Sequence, residues 1–223
     1  MTKPTIEQLH HSGAYELIES LHVDDMSKFL MREMGMKQPK PGEKPKMNWK
    51  SILGLLAFMV ISGLVGYQIG KNIALHKSQS YNLYNLGIQF GSAFLCMFLV
   101  LLPVHEGIHA LVLRQIGAAK VGFGWSWKSL IVYAYAQKFV MTLRENAYVA
   151  VMPFVVISVA LIVGWLVAPQ YFLFWGFSLF LHTTACIGDF ILIRLYYKNK
   201  LETRYIYDDI EGEKMSYFFR EKA

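Results

Sequence analysis

Apolar residues fall along this chain in long blocks separated by short polar stretches. Four blocks have the length and low charge that predict membrane-crossing helices, at about residues 52–69, 86–113, 147–167 and 171–196. Only residues 168–170 separate the third and fourth, which makes them antiparallel neighbours. Two stretches break the helical pattern. In residues 119–140, Val121, Phe123, Trp125 and the run from Leu130 to Ala136 are aromatic or β-branched and flank Ser126–Ser129, predicting a β-hairpin directly after the second span. An open strand edge there suits an extended substrate bound by strand addition, and the stretch reads equally as an interfacial aromatic loop. Near the end, Tyr205–Tyr207 and Met215–Phe219 flank an acidic turn and suggest a small terminal hairpin. At the start, apolar residues from Leu9 to Met34 recur at roughly helical spacing, broken near Ser12–Gly13, which predicts two short amphipathic helices.

The expected fold class is therefore an all-α membrane protein. It has about four transmembrane helices, a small β-hairpin insert after the second span, and a soluble N-terminal helical segment. The expected divisions are that segment at 1–35, a Pro/Lys-rich linker at 36–50, a four-span membrane domain at 51–198 and a cytoplasmic tail at 199–223.

Composition agrees: 54% of the 223 residues are hydrophobic and only 17% charged, too apolar for an ordinary soluble domain. The N-terminal sequence is polar and predicts no cleavable signal peptide. The net charge of +6 reads as membrane-flanking charge rather than as a nucleic-acid footprint. Lysine and arginine number eight before the first span, two in the first connection, five in the second, none in the third and seven from Arg194 onward. That alternation places both termini on the cytoplasmic side of an integral membrane protein. Cys96 and Cys186 both lie in apolar spans and read as buried thiols rather than a disulfide.

The second span carries the chemistry. His105-Glu106-Gly107-Ile108-His109 is an H-E-x-x-H motif. On a helix, residues four apart share a face, so His105 and His109 can present their imidazoles to one metal ion. Glu106 is then placed to act as general base on a water that the ion activates. Imidazole and carboxylate donors suit zinc better than magnesium or calcium, which prefer oxygen. Three ionisable side chains within five residues of an apolar span are costly, which favours a functional site over a polar helix end. Pro103, just before the motif, would kink the helix and admit water.

A two-histidine zinc site needs a third protein ligand. Asp189 is the only carboxylate inside the other three predicted spans. It lies about as far into the fourth span as His105 lies into the second, so at about 1.5 Å per residue their depths match. His182 precedes Asp189 by seven residues on the same helix face. It is a candidate to hydrogen-bond a metal ligand or to stabilise an oxyanion, and equally a packing histidine.

His105-Glu106-x-x-His109-Ala110, followed by Gly117 and Val121-Gly122-Phe123-Gly124, resembles the site-2 protease group of intramembrane zinc metalloproteases. Within it, the likeness is to compact bacterial zincin-peptidase membrane proteins. The resemblance spans about residues 88–195. It implies a bacterial cell membrane, Zn2+ held by His105, His109 and Asp189, Glu106 as base, and a strand-rich insert after the active-site helix. The sequence departs from that group in carrying Ile108 directly before the second histidine and no Asn-Pro beside Asp189.

The expected activity is hydrolysis of peptide bonds in or near the membrane. The expected partners are a membrane protein or peptide substrate and the lipid bilayer, with no nucleic acid. The rival is a non-proteolytic metal-binding membrane protein acting as a partner-binding scaffold. Glu106 separates the two, because a structural metal site does not need it and hydrolysis does.

Overall fold

The computed structural model describes residues 3–35, 53, 83–128 and 131–222. The first predicted span and the Pro/Lys-rich linker lie outside the described residues. In chain order the elements are α1 (Ile6–His11), β1 (Tyr15–His22), a 3-10 turn (Val23–Asp25), α2 (Met26–Glu33), α3 (Leu83–Cys96), a π-helical turn (Met97–Leu101) and α4 (Leu102–Gln115). Then follow β2 (Val121–Ser126), β3 (Ile131–Ala136), β4 (Met141–Thr142), α5 (Leu143–Val167), a 3-10 turn (Pro169–Tyr171), α6 (Phe172–Ala185), α7 (Ile187–Lys198), β5 (Arg204–Asp209) and β6 (Met215–Glu221).

The all-α expectation is overturned. The described residues hold six strands in two antiparallel sheets, so the fold is mixed α/β. The hairpin expected after the motif helix is present as β2–β3, and the terminal hairpin as β5–β6. Sequence reasoning missed β1 and the short β4, which flank that terminal hairpin in a sheet of order β1-β6-β5-β4. The reason for β1 is visible in its register. Leu17 faces Phe219 and Glu19 faces Phe218, so Ile18 is the extra residue of a bulge. The bulge puts two apolar residues side by side and breaks the period of two. What remains, Leu17, Ile18 and Leu21, has helical spacing. Pairing with a strand almost 200 residues away decides the outcome.

In the β2–β3 hairpin, Gly122 faces Tyr135 and Gly124 faces Tyr133. A Cβ at either glycine would stand 2.6 Å from the opposite tyrosine ring. The glycines therefore serve as beds on which the two rings lie.

Two of the described helical stretches are long and apolar enough to cross a membrane, Asn85–Gln115 and Leu143–Val167. A third is available if the pair Pro169–Ala185 and Ile187–Lys198, broken at Cys186, counts as one span. Their outward side chains are strongly apolar: Leu99 is 66% exposed and Val167 79%. A water-facing helix would not leave such a continuous apolar surface uncovered.

The chain divides into two compact units. One combines Met1–Lys37, Leu102–Ile157 and Ala185–Ala223; the other combines Gln38–Leu101 and Ser158–Thr184. The described residues of the second unit are helical and pack aromatic side chains together. Phe90 stacks on Phe177, Gly164 lies against the Trp175 ring, and the Trp175 indole N–H donates to the Ala168 carbonyl. The first unit contains both sheets, α4 and α7. Its main core joins Phe29 of α2, Val112 and Leu113 of α4, Val149 of α5, Leu195 of α7 and Ile206 and Phe218 of the four-stranded sheet. This core fixes α4 and α7 relative to the sheets, and those two helices carry the candidate site.

Candidate metal centre

A π-helical turn, Met97–Leu101, runs directly into α4. Pro103 offers no N–H to the preceding turn. A π turn widens the helix and resets the direction of every side chain that follows. The helix then continues through His105, Glu106 and His109, with both His105 and Glu106 buried.

The two imidazoles meet as the spacing predicts. His105 Nε2 and His109 Nε2 are 3.1 Å apart. Asp189, in the first turn of α7, completes the group: its Oδ2 is 3.1 Å from His105 Nε2 and its Oδ1 is 3.3 Å from His109 Nε2. Ligands of a tetrahedral zinc at 2.0–2.1 Å stand roughly 3.3–3.4 Å from one another. The two imidazole nitrogens stand 3.1 Å apart and each has one oxygen of the Asp189 carboxylate at 3.1 or 3.3 Å, spacings close to those of two imidazoles and one carboxylate around a single zinc ion. The donor types, two imidazoles and one carboxylate, fit it as well.

The atoms behind the donors are also ordered. His109 Nδ1 lies 3.0 Å from the Val149 carbonyl oxygen of α5. A carbonyl only accepts, so Nδ1 carries the proton and Nε2 keeps its lone pair for a metal. That carbonyl is free for a simple reason. In a helix the Val149 C=O would accept from the N–H of residue 153, and residue 153 is proline, fully buried inside α5. On the other histidine, His105 Nδ1 faces the Cys186 thiol at 3.9 Å. Cys186 precedes α7 by one residue, so the chain that delivers Asp189 also supports His105.

Glu106 is held apart from these donors. Its Oε2 accepts from the Ala134 backbone N–H of β3 at 2.7 Å, leaving Oε1 to take a proton. The bond also defines the edges of β3. Gln137 N–H donates to the Lys120 carbonyl, toward β2. Alternation along a strand then turns Val132, Ala134 and Ala136 toward the open edge. That edge lines a cavity of about 390 Å³ together with His105, Glu106, His109 and Asp189, a size within the usual range for ligand pockets.

His105, Glu106, His109 and Asp189 are thus brought together within one unit. His182 lies on α6, fully buried, in the other unit. Sequence reasoning missed the Val149 carbonyl, the Ala134 amide and Asp208, which lines the same cavity. For the first, a signal was present: a proline four residues after Val149 marks an unclaimed carbonyl in any helix. For the other two there was none, because both depend on strand register.

No curated protein and no solved structure matches the chain. Residues 98–202, from the π turn that precedes the motif to just beyond α7, match the model of a protein family described as "putative zincin peptidase", and that match takes in His105, Glu106, His109 and Asp189 alike.

Proposed function

We propose that the protein is a membrane-embedded zinc endopeptidase whose active site is His105, His109, Asp189 and Glu106. The observation that carries this reading is the convergence of three side chains from two helices, two imidazole nitrogens and the two oxygens of one carboxylate with contacts of 3.1–3.3 Å, and a fourth side chain, Glu106, anchored beside them but not among them. The family match supports a zinc peptidase, and the apolar surfaces of the long helices support the membrane setting.

His105, His109 and Asp189 would hold the ion. Zinc bound there supplies Lewis acidity toward a carbonyl oxygen and lowers the pKa of water. The chain's own residues do the remaining work. Glu106 accepts a proton at Oε1 from the attacking water and returns it to the departing amine nitrogen. The Val149 carbonyl holds the His109 ring in its orientation, and the Cys186 thiol stands behind His105. The open edge of β3 presents backbone donors and acceptors to an extended peptide, which the Glu106 bond to Ala134 positions beside the base. Substrate binding by strand addition requires an unwound segment, so the peptide reaches the site in extended form.

The test is cleavage of a quenched fluorescent peptide pool by the detergent-purified, zinc-loaded protein. The reading expects hydrolysis that chelation stops and that Glu106→Gln reduces by more than about a hundredfold. Equal hydrolysis by wild type and Glu106→Gln would overturn it.

A further inference from the structure

The four-stranded sheet turns two different faces to its surroundings. On β5 and β6, Ile206, Asp208, Ser216 and Phe218 share one face, with Ile206 opposite Phe218 and Asp208 opposite Ser216. All four line the cavity that contains the candidate metal centre. One wall of that cavity is apolar, with Val23, Met26, Phe29 and Leu30 from the N-terminal segment. A carboxylate in such a wall is out of place unless something pairs with it.

Asp208 has one side-chain partner, the Ser216 hydroxyl, which donates to its Oδ1 at 2.6 Å. No lysine, arginine or histidine among the described residues forms an ion pair with it. Its neighbour Asp209 is treated differently: Gln137, Lys138 and the Gly212 N–H all bind that carboxylate, on the opposite face. The part of Asp208 that remains open faces the cavity. Burial pushes its carboxyl up to about 6, so it is still ionised at neutral pH and lacks a counter-charge.

Its position along the groove is set by the backbone. Asp208 bridges to Gln137, and its carbonyl accepts from the Lys138 N–H at 2.8 Å. It therefore closes the open edge of β3 at one end. Ala134, which marks the catalytic glutamate, lies three residues away, about 10 Å along a strand.

We propose that Asp208, with Ser216, forms a subsite for a cationic nitrogen of the substrate, a lysine or arginine side chain or a free peptide amino terminus, held two to three residues from the bond that is cut. The apolar wall from Met26, Phe29 and Leu30 covers the methylene stem while the charged head meets the carboxylate, as long basic side chains favour. The inference rests on the peptidase reading for its substrate, but its binding step is measurable without hydrolysis.

The experiment uses full-length protein carrying Glu106→Gln, which is expected to bind without cutting. Pools of eight-residue fluorescent peptides carry at one position either lysine or its uncharged isostere norleucine, each with a free or an acetylated amino terminus. Anisotropy titration is expected to give affinity about tenfold higher for the cationic peptides, the worth of one charge-assisted hydrogen bond. Adding Asp208→Asn should abolish the preference and Asp208→Glu should keep it, with thermal melts establishing that both variants fold. Loss of affinity on replacing lysine assigns the site to a side chain; loss on acetylation assigns it to the amino terminus. Equal binding of all four pools, or a preference that survives Asp208→Asn, overturns the proposal. Binding that discriminates as expected while the Glu106-intact protein cuts none of the four pools would leave the subsite standing and remove the peptidase reading.

Discussion

The two faces of the β5–β6 hairpin belong to the same two short strands yet behave as different materials. One face presents Tyr205, Tyr207, Tyr217 and Phe219 to α1. Tyr207 stacks on Tyr217 with centroids 4.9 Å apart, Phe219 and Leu9 are each 1% exposed, and His10 hydrogen-bonds the Tyr207 hydroxyl at 2.7 Å. This face is full, and the Tyr207 and Tyr217 hydroxyls on it are paired. The other face leaves a cavity, places a carboxylate in it, and opens toward the candidate metal centre. The contrast teaches where this unit keeps its stability and where it spends it. A packed aromatic face can carry a sheet whose reverse side holds groups that cost free energy when nothing is bound.

That division makes graded predictions. The largest effect on function should come from Glu106→Gln, a loss of more than about a hundredfold in peptide hydrolysis with no change in the melting temperature. A parallel loss of stability would mean that Glu106 holds the fold rather than a proton. The largest effect on stability should come from the opposite face. Phe219→Ala removes a buried ring and is expected to cost about 3–5 kcal/mol in denaturant unfolding, while zinc stoichiometry in the remaining folded protein stays the same. If zinc were lost in proportion, the two faces would not be independent.

A third, smaller effect tests the proline. Pro153→Ala gives residue 153 an N–H that competes with His109 for the Val149 carbonyl. Zinc affinity should fall by up to about tenfold, by competition titration with a chelating dye, without loss of helix. Unchanged affinity would show that the His109 bond does not depend on the freed carbonyl.

The smallest effect concerns pH. Asp208 has its carboxyl raised to about 6 in the folded protein, against 3.8 for the free group. The folded state therefore holds the proton more tightly between those values, so stability falls as pH rises through this window. Above it, the ionised group is a standing cost, on the order of 1–2 kcal/mol after allowing for water in the cavity. Asp208→Asn should accordingly raise the melting temperature at pH 7.5 and leave it unchanged near pH 4. A variant less stable than wild type at pH 7.5 would contradict this sign.

Much of the candidate site was legible because its information is local. His105, Glu106 and His109 sit on one helix, where spacing alone sets the geometry. Asp189 was reachable by counting residues into the expected fourth span, although that span is two helices bent by 51° at Cys186. The hairpins could be read where aromatic and β-branched residues run on both sides of a turn, as in β2–β3 and β5–β6. The all-α expectation failed where the information is distant. Strand β1 pairs with β6 from the far end of the chain, and its bulge at Ile18 disguises it as a helix. Asp208 was invisible for the same reason: only the register opposite Ser216 turns it into the cavity rather than toward Asp209's lysine.

The most direct measurement of the central claim is the metal content of the detergent-purified protein, compared among wild type, His105→Ala, Asp189→Ala and Glu106→Gln. The account predicts one zinc per chain in wild type and in Glu106→Gln, and its loss in His105→Ala and Asp189→Ala. Wild-type protein that takes up no zinc when it is supplied, or that keeps it after Asp189→Ala, would contradict the account.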